Sequence, residues 1–222
     1  MSGIRALALP EGVHVAAAPL SALDGLPAAA ADLRTAAPLP AWRAREHLAA
    51  RALLRRLLAE LVHPAAARSP LAARDGGQPH LPECPGCELS LSHTDGWAAA
   101  AVRLTGGAGA RVGIDIQRPE PVGTAVVRRC CGPTARARLA ELSAAERDLE
   151  LAWIWTVQEA CVKAAGAGLS GRPWTIPVDV GQRSGRWRQI RWTALRTDFA
   201  VPVSCAREVP DRAPRAELGG PP

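Results

Sequence analysis

The sequence predicts an α/β (α+β) protein made of two α/β halves packed side by side. In the first half, a strongly amphipathic segment at residues 41–62 precedes two alternating segments. In the second half, a strand candidate precedes a helical region at residues 134–165 and further alternating segments. Hydrophobic residues make up 48% of the 222 residues, which allows a sizeable core. Because the halves have similar content, we interpret them as pseudo-related, with the active site between them.

The long helix of the first half is predicted from a leucine stripe. Arg residues fill its other face, Pro40 precedes the segment and Pro64 follows it. Beyond it, ELSLSH alternates as a strand, TDG makes a turn and WAAAAVRL returns as a second strand. The leucines of the stripe recur at i, i+3, i+4 and i+7, namely Leu54, Leu57, Leu58 and Leu61.

The second half is predicted to begin with the strand RVGIDI, which ends before Pro119. Ser143 and Glu146 have the spacing of a capping box, and the helix that carries LAWIWTVQEACVKAAG ends near Gly166. The segments PWTIPVDV, RWRQIRWTAL and FAVPVSCA are predicted to be strands of β-hairpins, with RSGR as a turn.

A flexible joint, TGGAGA, is predicted between the halves. We therefore place the first half at residues 1–105 and the second at residues 106–208. Residues 209–222 are rich in Pro, Gly and charge, and we expect a disordered tail there. The first thirty residues match neither a signal peptide nor a membrane span. We expect a cytoplasmic, monomeric protein that does not bind membranes.

The charge balance favours acidic partners. Basic residues number 27 and acidic residues 21, a net charge of +6. Such a balance suits nucleic acid, anionic lipid, a phosphorylated cofactor or an acidic protein, although scattered arginines are also typical of a solvated surface. Lys163 is the only lysine. Either its compact ammonium is needed to bind phosphate as a point charge, or it is a remnant of an Arg-rich composition.

The six cysteines are expected to be free thiols. Cys84 and Cys87 form a C-x-x-C pair, but the adjacent Cys130 and Cys131 do not supply the second pair that a structural zinc site needs.

The GIDIQ segment offers candidate metal ligands. Alternation along the predicted strand places Asp115 and Gln117 on one side and two isoleucines on the other. Magnesium prefers carboxylate and amide oxygens. An Asp on a half-exposed strand is also ordinary, so this motif alone does not identify a site.

The predicted second helix carries a further charged pair. Glu159 and Lys163 are four residues apart and share a helix face with Trp155. An exposed ion pair is the simplest interpretation. The neighbouring ring favours instead a partly buried pair at a cleft, where Glu159 adds a carboxylate to the metal and Lys163 binds a phosphate.

A third cluster lies at the end of a strand, before a turn. Ser92, His93 and Thr94 bring hydroxyls, backbone amides and an imidazole together, which suits phosphate oxygens. A serine hydrolase is disfavoured because G-x-S-x-G is missing and adjacent Ser and His do not readily form a triad.

The order of these motifs resembles that of the 4'-phosphopantetheinyl transferase superfamily, specifically its long, Sfp-type members built from two similar halves. The resemblance covers residues 40–180 most clearly and includes a helix, a G-x-P loop, an S-H-[ST] segment, G-[IV]-D-[IV] and W-x-x-x-E-A-x-x-K-A-x-G-x-G-L. The matching residues are Arg51, Gly77, Gln78, Pro79, Ser92, His93, Thr94, Gly113, Ile114, Asp115, Ile116, Trp155, Glu159, Lys163, Gly166, Gly168 and Leu169.

The resemblance implies a transferase that uses Mg²⁺ and coenzyme A to modify a serine of an acidic acyl or peptidyl carrier protein. The resemblance implies that Asp115 and Glu159 bind the magnesium on the coenzyme A diphosphate, and that Gln117 lies at a third metal-ligand position. Glu159 also acts as a base, and Lys163 stabilises the leaving adenosine bisphosphate. The long form resembles members that serve secondary metabolism. The positions implied to hold the nucleotide are Arg51, Gly77, Gln78, Pro79, Ser92, His93, Thr94 and Lys163.

Three glutamines depart from the family pattern. Many relatives have an acidic residue at Gln117, a lysine at Gln158 and a lysine at Gln78. The first departure puts the number of metal ligands in question, and the other two weaken the expected phosphate contacts.

Two other classes of function were weighed. One is a non-catalytic module of the same fold that binds coenzyme A or a carrier, and the presence of Asp115, Glu159 and Lys163 argues against it. The other is an Arg-rich nucleic-acid binder, which would need a continuous basic face with interleaved aromatic residues that the sequence does not show.

Overall fold

The computed structural model describes residues 4–74, 76–105 and 110–209. Residues 106–109 of the predicted joint TGGAGA lie outside these ranges, as do residues 210–222 of the tail predicted from residue 209.

The residues before the joint form one antiparallel sheet and three helices. The sheet has the strand order β1-β2-β6-β5-β4-β3. The elements are β1 Arg5–Leu9, β2 Val13–Pro19, α1 Leu20–Leu23, α2 Ala30–Ala36, α3 Ala41–Leu61, β3 Ala72–Ala73, β4 Pro79–His80, β5 Cys87–Thr94 and β6 Trp97–Leu104.

The residues after the joint form a second antiparallel sheet, ordered β7-β10-β9-β8, and a further three helices. The elements are β7 Val112–Ile116, α4 Thr124–Cys130, α5 Pro133–Ala140, α6 Ala144–Ala164, two 3₁₀ turns at Gly168–Gly171 and Pro173–Thr175, β8 Ser184–Trp187, β9 Ile190–Ala194 and β10 Val203–Glu208.

The two sheets pack face to face, and each carries a long helix on its other face. Alternation along β2 sends Ala16 and Ala18 toward α3, and Val13, Val15 and Ala17 toward the second sheet. The core between the sheets is completed by Ala99, Ala101, Val112, Ile114, Ile116, Leu195, Val203 and Cys205. The order of layers is therefore α3, first sheet, second sheet, α6.

A glycine allows α6 to lie close to β7. A Cβ atom on Gly113 would clash with the carbonyl oxygen of Ala160 and lie 2.6 Å from the amide nitrogen of Ala164. This close contact brings Asp115, the next residue on the same face of β7, within reach of Lys163 on α6.

Most of the predicted elements are confirmed. The amphipathic segment at residues 41–62 is α3, ELSLSH and WAAAAVRL are the hairpin β5–β6, and RVGIDI contains β7. Ser143 caps α6 in a capping box with Glu146, as predicted. Seven of the described helices and strands were not predicted, namely β1, β2, β3, β4, α1, α2 and α4.

Two predictions in the last third of the chain are wrong. PWTIPVDV is not a strand, because its start forms the 3₁₀ turn Pro173–Thr175 and the rest is irregular. The tight turn of the next hairpin lies at Arg188 and Gln189, not at RSGR, whose last three residues open β8. Arg188 adopts a positive φ of 53°, which a two-residue hairpin loop requires.

The prediction of free thiols is wrong for one pair. The structure joins Cys84 and Cys87 by a disulfide, since consecutive turns bring their Cα atoms to 5.6 Å, a distance that a disulfide spans. The other four cysteines are free and buried. Within the described ranges, no group of three or more His, Cys, Asp or Glu side chains could hold a metal. None of the helices described is long and apolar enough to cross a membrane.

Candidate functional site

A cavity of about 390 Å³ opens where β5, β7 and α6 meet. Three of the predicted motifs contribute to it, because β5 supplies the Ser-His pair, β7 the GIDIQ segment and α6 the Glu-x-x-x-Lys pair. The residues that line it are Leu91, Ser92, His93, Asp115, Ile116, Gln117, Trp155, Glu159 and Lys163.

Lys163 connects the three elements at the base of this cavity. Its Nζ donates to Asp115 Oδ1 at 2.6 Å, to Ser92 Oγ at 3.1 Å and to the carbonyl oxygen of Ile114 at 3.0 Å. Ser92 Oγ in turn donates to Asp115 Oδ1 at 2.7 Å. The ammonium thus uses all three of its donors. Asp115 Oδ1 accepts one charge-assisted hydrogen bond from Lys163 and one from the Ser92 hydroxyl, and these two bonds fix its position.

Glu159 lies beside this network but is not part of it. Its Oε1 is buried and has no hydrogen-bond partner among the described residues. Burial raises the pKa of the Glu159 carboxyl above its ordinary value, and the nearby Asp115 carboxylate adds to the rise, while Lys163 opposes it. A buried carboxylate oxygen without a partner calls for a proton or a cation.

A second cavity of about 270 Å³ shares Glu159 and Lys163 with the first. The predicted G-x-P loop forms its opposite wall, so the structure brings this loop to the C-terminal end of α6. Gln78 Nε2 bridges the sheets by donating to the carbonyl oxygens of Leu89 at 3.4 Å and Val112 at 3.3 Å. The lining residues are Gly76, Gly77, Gln78, Pro79, Ser90, Leu91, Glu159, Lys163, Gly166 and Gly168.

Not every predicted residue reaches these cavities. Arg51 forms a buried ion pair with Asp32 at 3.0 Å and lines neither cavity, and Thr94 lines neither. Gln158 is fully buried, and its Nε2 donates to the carbonyl oxygens of Cys130 and Ile176. The amide of Gln158 therefore has a packing role, and its presence does not weaken a phosphate contact in either cavity.

Sequence reasoning missed one polar contact of the site. Nδ1 of His93 lies 3.2 Å from Oε2 of Glu46, and Glu46 is a residue of α3. Burial lowers the pKa of His93, Glu46 opposes the effect, and Lys163 and Arg43 reinforce it. The sequence signal for this contact is the position of Glu46, an acidic residue on the apolar stripe of the predicted helix.

Two protein-family models match the chain. A model described as the 4'-phosphopantetheinyl transferase superfamily matches residues 111–206, and one described as the 4'-phosphopantetheinyl transferase N-terminal domain matches residues 28–103.

Three Bacillus proteins are similar to the chain. A 4'-phosphopantetheinyl transferase of Bacillus subtilis is 28% identical over 106 residues, which is 46% of this chain and 42% of that protein. The 4'-phosphopantetheinyl transferase psf-1 of Bacillus pumilus is 26% identical over 127 residues, 57% of this chain and 52% of psf-1. The 4'-phosphopantetheinyl transferase Sfp of Bacillus subtilis strain 168 is 24% identical over 108 residues, 49% of this chain and 44% of Sfp.

The matches with these curated relatives span about half of their length or less. The two family models, in contrast, match successive stretches on either side of the joint that together make up most of the chain. The chain belongs to the 4'-phosphopantetheinyl transferase superfamily.

Proposed function

We propose that the protein transfers the 4'-phosphopantetheine arm of coenzyme A to a serine hydroxyl of an acyl or peptidyl carrier protein. The observation that supports this function most directly is the convergence of Asp115, Lys163 and Glu159 on one cavity between the sheets and α6, with Oε1 of Glu159 left without a partner in the described ranges. Phosphoryl transfer depends mainly on positioning and on neutralising charge, which is what this set of side chains can do.

In the proposed reaction, the carrier supplies the nucleophile. Its serine oxygen forms a bond to the phosphorus next to pantetheine, and the bond from that phosphorus to the bridging oxygen breaks. The serine proton goes to Glu159, directly or through a water, and the leaving group is adenosine 3',5'-bisphosphate. Without a bound cation, burial raises the pKa of Glu159 and favours uptake of a proton, whereas a magnesium ion at this carboxylate would lower that pKa. The Lys163 ammonium offsets the charge on the leaving group, and it donates to a phosphate oxygen once it gives up one of its three contacts within the protein.

The oxygen donors of the cavity fit a magnesium ion. Asp115, Glu159 and Gln117 line the same cavity, and the buried Oε1 of Glu159 has no partner in the described ranges. These three side chains would hold the ion together with oxygens of the coenzyme A diphosphate. When bound, magnesium would neutralise charge on that diphosphate.

The nucleotide end of coenzyme A is assigned to the walls of the two cavities. Gly77, Gln78 and Pro79 form one wall, and Ser92 and His93 lie on the other side of Lys163. Arg51 and Thr94 are left out of this assignment because neither reaches a cavity. The net charge of +6 suits an acidic carrier surface. The halves that enclose the site are proposed to divide at residues 105 and 106.

One experiment tests the proposed function. An apo-carrier is incubated with the protein, coenzyme A and magnesium, and its mass is measured. A gain of one phosphopantetheine that depends on both coenzyme A and magnesium is expected. Glu159→Gln should prevent the gain, whereas Glu60→Gln, on an exposed site at the end of α3, should not. Binding of coenzyme A without any mass gain, over several carriers, would instead identify a non-catalytic binding module.

A further inference from the structure

Glu46 is an acid at a core-facing position of α3. It precedes Ala49 by three residues, Ala50 by four and Leu53 by seven, and these three residues are buried against the first sheet. The Glu46 side chain is only 13% exposed. Burying a carboxylate costs free energy unless it is paired, so an acid on this stripe requires a partner.

That partner is His93, because of the alternation of β5. Leu89 and Leu91 point toward α3, whereas Ser90 accepts a hydrogen bond from the Ile114 amide of β7 on the opposite side. By the same alternation His93 points toward α3, as Leu89 and Leu91 do, and its Nδ1 lies 3.2 Å from Glu46 Oε2. Among the described ion pairs, this is the one that involves Glu46.

The contact determines which ring nitrogen is free. With Nδ1 directed at the Glu46 carboxylate, Nε2 is the nitrogen of His93 left for a ligand in the cavity that the ring lines. The other charged groups acting on this ring are cations, Arg43 of α3 and Lys163 of α6, and His47 of α3 is also close. Glu46 is therefore the anion that offsets them on the side of the ring away from the cavity.

We propose that Glu46 is a positioning residue, which orients the His93 imidazole so that its Nε2 binds a phosphate group of the nucleotide part of coenzyme A. This inference depends on the proposed function only for the identity of the ligand. In many metal sites, a carboxylate accepts a hydrogen bond from one ring nitrogen of a histidine whose other nitrogen binds the metal. Here a phosphate oxygen would take the place of the metal. Glu46 itself does not touch the ligand.

The test compares Glu46→Gln with Glu60→Gln. Both residues lie on α3, but Glu60 is 52% exposed and pairs with Arg56 at the surface. Losing a charged hydrogen-bond partner of His93 should raise the KM for coenzyme A about tenfold. The value of kcat should stay within about twofold, since the nucleotide end lies away from the transferred group. Glu60→Gln should change neither constant.

A double-mutant cycle shows whether Glu46 acts through His93. In a His93→Ala background, adding Glu46→Gln should change the KM by no more than about twofold. A tenfold rise in both backgrounds would overturn the proposal, and so would a loss confined to kcat or a His93→Ala variant with the parental KM. Melting temperatures of all variants identify any change due to misfolding, and His93→Asn replaces His93→Ala if the latter does not fold.

The same cycle is measured by calorimetric binding of coenzyme A, which does not require transfer. If the parent binds coenzyme A but transfers nothing, the proposed function fails while the dissociation constants still decide the role of Glu46. A parent that neither binds nor transfers would overturn both proposals.

Discussion

The helices α3 and α6 have the same length, 21 residues, and each covers one sheet, but they serve the site in different ways. Helix α6 places Trp155, Glu159 and Lys163 on a cavity. Helix α3 lies behind His93 and contributes Glu46, the ion-pair partner of that ring. Its buried Arg55 pairs with Asp32 and lines neither cavity. The reactive groups thus come from the second half and β5, whereas α3 supports them.

The buried carboxylates Asp32 and Asp115 show the same difference between a supporting region and the site. Asp32 accepts hydrogen bonds from both Arg51 and Arg55, and these bonds lower its pKa although burial alone would raise it. Asp115 is also buried and is paired with Lys163, but it lines a cavity beside an unpartnered carboxylate oxygen of Glu159. A closed cluster in which each carboxylate oxygen is paired stabilises the fold, whereas a cluster with an open oxygen can bind a ligand.

The largest expected effect is a loss of transfer on removing an acid that lines the cavity, in contrast to a loss of stability on removing Asp32. Asp115→Ala and Glu159→Ala should each reduce transfer by about a thousandfold or more, because the diphosphate charge is left uncompensated. Glu159→Ala should melt near the parental temperature. Asp115→Ala should lose less stability than Asp32→Ala, because the Lys163 side chain is 27% exposed and keeps its contacts with Ser92 and the Ile114 carbonyl oxygen. Asp32→Ala should behave in the opposite way. Removing the carboxylate leaves the buried Arg55 and the half-buried Arg51 without their partner, which costs about 3 kcal/mol and lowers the melting temperature by roughly 8 °C. Transfer rates and thermal melts of the three variants test the contrast.

The contrast would fail if Asp32→Ala kept the parental melting temperature but lost transfer, or if Asp115→Ala transferred at a near-normal rate. The first result would move Arg51 into the nucleotide site, as the family resemblance implied.

Lys163→Arg should have the next largest effect, although it keeps the charge. The guanidinium is planar and longer, so it cannot make the three contacts that Nζ makes to Asp115, Ser92 and the Ile114 carbonyl. A displacement of a positioning group by about 1 Å can cost on the order of a hundredfold in rate. Coenzyme A affinity should fall less, because His93 and the Gly77–Pro79 loop remain.

Single-turnover rates and coenzyme A affinities of Lys163→Arg, Lys163→Ala and the parent provide the measurement. If the arginine variant transfers as fast as the parent, the lone lysine reflects composition and only its charge matters.

The residues of the second half were easier to predict than those of the first, for a physical reason. Asp115, Glu159 and Lys163 lie on one strand and one helix whose periodicities fix their direction, so the sequence alone placed them on common faces. Arg51 also lies on a predictable helix, but its partner Asp32 lies on α2, a short helix that has no amphipathic repeat of its own. The long-range pairing of Glu46 with His93 leaves no local pattern.

Strand prediction shows the same limit. Strand β2 is buried on both faces, with Val13, Val15 and Ala16 to Ala18 all inaccessible, so polar and apolar residues do not alternate along it. The hairpin β5–β6 is also mostly buried, but the turn signal TDG and the alternation of ELSLSH make it predictable. PWTIPVDV has strand-forming residues, but its prolines favour a 3₁₀ turn and irregular chain.

Glu159→Gln should also produce a moderate effect on stability, opposite in sign to that of Asp32→Ala. A carboxyl whose pKa is higher in the folded state than in the unfolded chain is destabilising once it ionises. Its contribution to stability is therefore fully present below the unfolded pKa and is lost as pH rises through the raised folded pKa. The neutral amide avoids this loss, so the variant should melt about 2 °C above the parent near pH 7 and show no advantage near pH 4.

The same ionisation should appear in activity. Because magnesium at Glu159 would lower its pKa, the raised value belongs to the free enzyme, which the pH profile of kcat/KM reports. The acid limb of that profile should therefore lie above the ordinary range of a glutamate. Melting curves at several pH values and a pH–rate profile of the parent check the two statements. An acid limb at the ordinary glutamate range would contradict the assignment of Glu159 as the base.

The smallest expected effect concerns Gln117, the neutral neighbour of the two acids. Its Nε2 donates to the Arg118 carbonyl oxygen at 3.1 Å, and the side chain lines the same cavity as Asp115. Because a carboxylate is a stronger ligand for magnesium than an amide, Gln117→Glu should leave the half-saturating magnesium concentration unchanged or lower it by a fewfold. Gln117→Ala is the matched control and should leave it unchanged or raise it slightly. A Gln117→Glu variant that needs much more magnesium than the parent would show that this side chain does not face the ion, and Asp115 and Glu159 would then be the only protein ligands in the proposed set.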